Sequence, residues 1–376
     1  MTQKIFINGE FISAKSKEVL EIKNPTTGDF IDTVPLCGED DINYAMESAR
    51  KAQKAWWRLS GVEKANYMHG IANKLRAMVD ELSKLLTKET GKPLIESVDC
   101  IDWVAACFDY YAETGRASRG LSLPPVAEHQ VNFTVKEPYG VAVCIAPFNF
   151  PLLLMAWKIA PALVTGNTVV CKPPHQNPLS NLLMARAFED LPAGVVNFIT
   201  GDGAKTGELL INHPETDVIA FTGSTKIGRH VAETAGRHLK KVNLEMGGID
   251  PFLVFEDADV DIAVKGAVWA RLLNAGQVCT SSKRIYVHES IADEFEKKLL
   301  EQVKTVKVGD PMNSDTDMGP LITPEAAEYV EKQVQQVIEE GAKLVYGGKR
   351  FSPNGLKGNF FEPTILTNVK HGGINN

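Results

Sequence analysis

No CxxC pair occurs in this sequence, and none of its six cysteines (Cys37, Cys100, Cys107, Cys144, Cys171, Cys279) stands at a histidine spacing that would chelate a metal. Reduced thiols in a cytoplasm are the simplest account of them. A basic stripe is absent too. The formal charge of −7, with both signs interspersed, offers no footprint for nucleic acid and no polybasic flank for a membrane. The first residues, Met1 to Phe6, lack the apolar stretch of a signal peptide, and no lipidation motif is present, so a cytoplasmic protein is expected. Low-complexity runs and internal repeats are missing. So is the GxGxxG fingerprint: Gly201–Gly207 has a gap one residue too long and is not a Walker A loop. What remains is a small-molecule partner. With 376 residues, 44% of them hydrophobic and 23% charged, the chain is long enough for two or three domains around a large core.

One stretch imitates a membrane span. Residues 141–164 are almost entirely apolar, yet Pro147, Asn149, Pro151, Lys158 and Pro161 interrupt them at intervals a lipid-facing helix would not tolerate. A buried strand, a turn and a buried helix are expected there.

Turn signals at Asn8-Gly9 and Asn24–Gly28 set short antiparallel strands among residues 5–34. A helix capped by Asp40-Asp41 follows, then helices over roughly 62–89 and 95–111, separated by Gly91-Lys92-Pro93. Residues 116–139 read as a strand excursion that needs a further strand or another subunit for support. After Gly140, buried strands near 141–145, 168–172, 195–199, 217–222 and 241–244 alternate with helical segments, which predicts a parallel, doubly wound sheet. Such sheets bind ligands beyond the strand C-terminal ends. The strand and helix pattern then repeats as a second sheet from Pro251 onward.

Cys279 stands where a helical run gives way to a β-branched one, a place suited to a nucleophile with backbone N–H groups nearby. A lone cysteine is more often a small buried hydrophobe. Glu245 ends a strand before Gly247-Gly248 and can serve as a general base, although a glutamate is more often a solvated surface group. Asn149, in a Pro-bounded apolar turn, needs a hydrogen-bonding purpose, either capping the next helix or donating to a substrate oxygen. Gly223-Ser224 opens a helix and can approach a phosphate, or simply cap that helix.

Taken together, Pro147–Pro151, Ala156-Trp157-Lys158, Gly166–Pro173, Phe221–Thr225, Leu244–Gly248 and Gly276–Cys279 resemble the aldehyde dehydrogenase superfamily in order and spacing, and the likeness runs from about Ile5 to Thr364. The resemblance implies an α/β fold of two doubly wound domains, a Rossmann-like cofactor domain over 1–115 and 139–247 and a catalytic domain over 248–376, with a β-ribbon oligomerisation element at 116–138. It implies oxidation of an aldehyde to a carboxylic acid with NAD or NADP. Cys279 would add to the carbonyl as a thiohemiacetal, Asn149 and the Cys279 N–H would form the oxyanion hole, and Glu245 would activate the water that releases the acid from the thioester. Lys158 matches a lysine near that water. Lys172 matches the lysine that reaches the adenosine ribose, and Ser224 the residue near the pyrophosphate. Phe148, Gly223 and Gly247 fall at further cofactor positions.

Three positions after Lys172, where NAD-preferring relatives carry glutamate, this chain has His175, so NADP use is expected. Relatives that oxidise succinic semialdehyde carry arginines where this chain has Trp157 and Leu273, which points to neutral or apolar aldehydes. The chain also lacks the family's Glu-Ile-Phe-Gly-Pro segment and about a hundred residues beyond it. The catalytic domain is therefore expected to be incomplete, and the family's homo-oligomer to be compromised. The competing readings are an acylating, coenzyme A-dependent semialdehyde dehydrogenase and a truncated relative that binds cofactor or a partner chain without turnover.

Overall fold

The computed structural model describes residues 2–370 and 372. The chain packs as two compact units, one of Met1–Glu21, Asp32–Leu82 and Asp99–Glu245, the other of Ile22–Ile31, Ser83–Val98 and Met246–Asn376. Residues 22–31 and 83–98, assigned to the first domain from sequence, pack with the second unit.

In chain order the elements begin with β1 (Ile5–Ile7) and β2 (Glu10–Ile12), a hairpin, and β3 (Val19–Lys23) and β4 (Phe30–Pro35), a separate ribbon. Helices α1 (Glu39–Arg58), α2 (Gly61–Ala77), α3 (Val79–Thr90) and α4 (Leu94–Arg116) follow, then a ribbon of β5 (Ser122–Leu123) and β6 (Asn132–Phe133). The regular alternation comprises β7 (Val141–Ile145), α5 (Pro151–Val164), β8 (Thr168–Lys172), α6 (Leu179–Met184), β9 (Val196–Phe198), α7 (Lys205–Asn212), β10 (Val218–Thr222), α8 (Thr225–Arg237) and β11 (Lys241–Glu245). The second unit continues with β12 (Asp250–Val254), α9 (Val260–Leu272), β13 (Ser282–Val287), α10 (Ala292–Lys304), α11 (Pro324–Glu339), β14 (Lys343–Tyr346) and β15 (Ile365–Thr367).

The first unit is built on one sheet in the order β11-β10-β7-β8-β9-β1-β2, parallel through β9 and antiparallel at β1. Every residue of β7 and β8 is buried, as expected of strands covered on both faces. Most of the apolar 141–164 stretch is core, with Trp157 exposed, and among the described residues no helix is long and apolar enough to cross a membrane. Strand order reverses at β7, which pairs with β8 on one side and β10 on the other, and this puts the topological switch point at the ends of β7 and β10. The Asn8-Gly9 turn has both residues at positive φ, 57° and 83°, the conformation a tight hairpin requires.

Several local expectations are corrected. The helix expected over 62–89 is two, broken at Met78, whose backbone leaves the helical region at φ −98° and ψ 6° with no glycine or proline to announce it. Gly38 caps α1, and Asp41 reaches back to its N–H while also accepting from Lys15 N. Phe150 is the N-cap of α5, without a side-chain bond, so Asn149 does not cap that helix. In the second unit the strands form two separate pairs, β12-β13 parallel and β14-β15 antiparallel, rather than one continuous sheet. One face of β12-β13 packs on α9 and α10 through Val254, Val264, Ala267 and Phe295; Leu253 and Phe255 stay exposed.

Between α2 and α4, His69 Nδ1 lies 2.6 Å from Asp109 and its Nε2 3.0 Å from Glu113. Arg76 holds the other Asp109 oxygen at 2.5 Å, and Arg116 stands 3.9 Å from Glu113. The bonds to Asp109 and then Glu113 raise the His69 pKa above its ordinary value. A raised histidine stabilises fully below its unfolded pKa and loses that contribution as pH rises through the folded one. Because these groups are partly exposed, His69→Gln is expected to lower stability by only ~0.5 kcal/mol near pH ~5.5. No measurable loss is expected near pH ~9, as urea melts at the two values will check.

Candidate active site

Three short segments meet where β7, β10 and β11 end. The turn after β7 carries Phe148 and Asn149, both half-buried, and Asn177 holds it by donating Nδ2 to Phe148 O at 2.7 Å. Glu245, the last residue of β11, is exposed and pairs in register with Thr222; its carbonyl accepts from Gly223 N at 3.1 Å. A Cβ on Gly223 would sit 2.4 Å from the Phe221 ring, so only glycine fits the bend. Lys158, 8% exposed on α5, donates to the Thr222 hydroxyl. Burial lowers the Lys158 pKa, and neighbouring Cys144 and Glu245 oppose the shift. Lys158, Thr222 and Glu245 thus form one polar group at the sheet end. Ser224 caps α8 by accepting from Ile227 N at 3.4 Å, so the capping role read from sequence holds for its side chain. Gly247 is exposed, and nothing lies within 4 Å of a Cβ built on it.

Lys172 ends β8 and is 3% exposed, its Nζ donating to Pro173 O at 3.3 Å. Burial pushes its pKa down to about 8, with Asp202 pulling the other way. His175 reaches solvent, yet the protein around it, then the Lys172 charge, lowers its pKa. Asp202 is the acid of this group, and its carboxylate is occupied by the N–H groups of Ala204 and Lys205, each at 2.8 Å. A buried cation and a neutral imidazole beyond the C-terminal end of a parallel strand fit the ribose end of a dinucleotide.

Cys279 lies in the second unit on a turn between α9 and β13, closed by Ser281 N to Val278 O at 3.3 Å. It is half-buried, whereas the other five cysteines are buried. Lys283 Nζ donates to Val278 O at 3.1 Å and Cys279 O at 3.0 Å. Arg271 donates to Gly276 O at 3.0 Å and to the Ser281 hydroxyl at 2.9 Å, so its guanidinium is engaged within the turn.

Sequence reasoning missed Thr222, Asn177 and Lys283. Neither Thr222 nor Asn177 carries a local signal, since each acts on a residue far along the chain. Lys283, a few positions after Cys279, was within reach of a sequence argument.

Burying Lys172 protonated opposes folding at neutral pH, and the penalty fades between the folded pKa of about 8 and the ordinary 10.5. Lys172→Met is expected to stabilise the ligand-free protein by on the order of 2 kcal/mol near pH ~7. The gain should shrink as pH rises through that window. Denaturant melts that show a loss instead would contradict it.

Comparison with known proteins gives a consistent picture. The pattern of the aldehyde dehydrogenase family matches residues 11–372. A D-glyceraldehyde dehydrogenase (NADP(+)) of Picrophilus torridus is 39% identical over 370 residues, 97% of this chain and 75% of the relative. A succinate-semialdehyde dehydrogenase [NADP(+)] of Escherichia coli is 38% identical over 98% of this chain and 76% of its own. Among solved structures, betaine aldehyde dehydrogenase from Staphylococcus aureus in complex with NAD+ superposes with TM-score 0.95 at 35% identity, over 98% of this chain and 75% of that one. Identity at this level across nearly the whole length, together with the switch-point sheet and the half-buried cysteine on a turn, means that this chain belongs to the aldehyde dehydrogenase family.

Proposed function

We propose that this chain oxidises a neutral aldehyde to its acid with NADP, through a covalent adduct on Cys279. The observation that carries this reading is Cys279 itself, the one cysteine among the described residues that is not buried, on a turn whose carbonyls are tied to Lys283. Its thiolate attacks the aldehyde carbon, and the Cys279 N–H and Asn149 Nδ2 donate to the oxygen that becomes negative. The bound nicotinamide supplies the hydride acceptor. Glu245 takes a proton from the water that attacks the resulting thioester, and Lys158, tied to Thr222, orients this end of the sheet. Lys172 would hold the ribose end of the cofactor, and Phe148, Gly223, Ser224 and Gly247 would hold the rest of it.

His175 supports NADP, because it stands where NAD-preferring relatives carry a glutamate that would repel a 2′-phosphate, and the nearby Asp202 carboxylate is already occupied by the Ala204 and Lys205 N–H groups; relatives named for NADP agree in kind. Trp157, 53% exposed, and Leu273 supply no guanidinium for a substrate carboxylate, and Arg271 is engaged within its own turn. A small neutral aldehyde such as glyceraldehyde therefore suits the site better than succinic semialdehyde. The β5-β6 ribbon, with Leu121, Val131, Phe133 and Val135 all exposed, suits association with a second copy.

Reduced-cofactor formation by the purified chain tests the reading. Turnover with glyceraldehyde should exceed that with succinic semialdehyde by at least about tenfold in kcat/KM, and Cys279→Ala should abolish it. Free acid, formed without coenzyme A, is the expected product; acyl-coenzyme A would favour the acylating alternative. Glu245→Gln should slow steady turnover by ~100-fold while leaving a first burst of reduced cofactor. His175→Glu should shift the NADP-to-NAD ratio of kcat/KM by about tenfold or more toward NAD, and an unchanged ratio would remove His175 from cofactor choice.

A further inference from the structure

The turn that carries Cys279 starts with three successive residues in left-handed backbone: Asn274 at φ 50°, Ala275 at 54° and Gly276 at 76°. Glycine adopts this freely and asparagine tolerates it, but the alanine Cβ crowds the neighbouring carbonyl. A non-glycine residue stays there only where its surroundings hold it. Here the hold can be named. Glu96, in the first turn of α4, aims both carboxylate oxygens at the backbone N–H of Asn274, at 3.0 and 3.3 Å, across 178 residues of sequence. That N–H would otherwise continue α9 by bonding back along the helix; given to a carboxylate, it turns the chain out of the helix. Downstream, the Gln277 N–H and Nε2 both donate to Asn274 O, at 3.1 and 3.0 Å, and Gln277 Oε1 accepts from Ile322 N at 3.0 Å. Asn274 is 3% exposed, so water does not substitute readily for Glu96.

We infer that Glu96 is a positioning residue for the nucleophile: its carboxylate pins the Asn274 N–H, keeps Asn274–Gly276 in the left-handed path and thereby fixes where the Cys279 thiol stands. The inference rests on the reading of Cys279 as the aldehyde-accepting thiol. It explains why an alanine occupies a position that disfavours it. The strain is held from α4 rather than relieved within the turn.

The test measures how well propanal, without cofactor, protects Cys279 from iodoacetamide, with the alkylated site read by mass spectrometry; the other cysteines are buried. Glu96→Ala is expected to weaken protection about tenfold, the scale of one alanine's left-handed penalty. Glu96→Gln, which keeps one neutral acceptor oxygen, should weaken it less. Adding Ala275→Gly to Glu96→Ala should restore protection to within about twofold of the parent, because glycine needs no hold there. In turnover, kcat for the aldehyde should fall with Glu96→Ala while KM for NADP moves less than about twofold, a split that general unfolding would not produce. Undiminished protection in Glu96→Ala, or a double variant as impaired as the single one, overturns the inference. Should Glu96→Ala fail to fold, Glu96→Gln with and without Ala275→Gly decides by the same comparison. A parent chain that propanal does not protect would instead overturn the reading of Cys279 itself, and the positioning role with it.

Discussion

A parallel strand buried on both faces has no room for chemistry along its length, so polar side chains gather at its ends. β7 and β8 are buried at every residue, and the functional candidates of the first unit stand at or just beyond strand C-termini: Asn149 after β7, Lys172 at the end of β8, Thr222 at the end of β10 and Glu245 at the end of β11. The core of Val141, Val143, Ile145, Val170, Ile219 and Phe221 fixes those ends by close packing. The reversal of strand order at β7 then determines which ends are neighbours.

The same burial sets the electrostatics. Lys158 and Lys172 sit at the edge of an apolar core, and both ammonium groups have lowered pKa values chiefly because they are desolvated. A structural cation would more usually be paired with a carboxylate. Lys158 instead bonds a hydroxyl and Lys172 a backbone carbonyl, partners that leave the charge available to a ligand. In the second unit the cations serve the backbone. Arg271 and Lys283 bond carbonyls of the Cys279 turn, and Glu96 bonds an N–H at its start, so the geometry of the turn is supplied by three charged side chains.

Much of this was legible beforehand. Periodicity placed β7, β8 and β10 to within a residue, because a buried strand leaves a short apolar run bounded by turn residues in the sequence. The break at Met78 was not legible, since no breaker residue marks it. Nor was the separation of β12-β13 from β14-β15, which depends on pairing between strands rather than on either strand alone. Asn149 showed the limit of local reasoning: capping and substrate binding were equal readings until Phe150 proved to be the cap residue.

The sequence by itself determined the alternation of elements, the family and the chemical kinds of residue available, since period, turn residues and motif spacing are properties of neighbours along the chain. Tertiary structure decided which of those residues work together. Lys158 finds Thr222 across 64 positions, Asn177 finds Phe148 across 29, and Glu96 finds Asn274 across 178. No local propensity encodes such meetings; they exist because packing of a sheet and its helices brings distant strand ends and helix turns within hydrogen-bond reach.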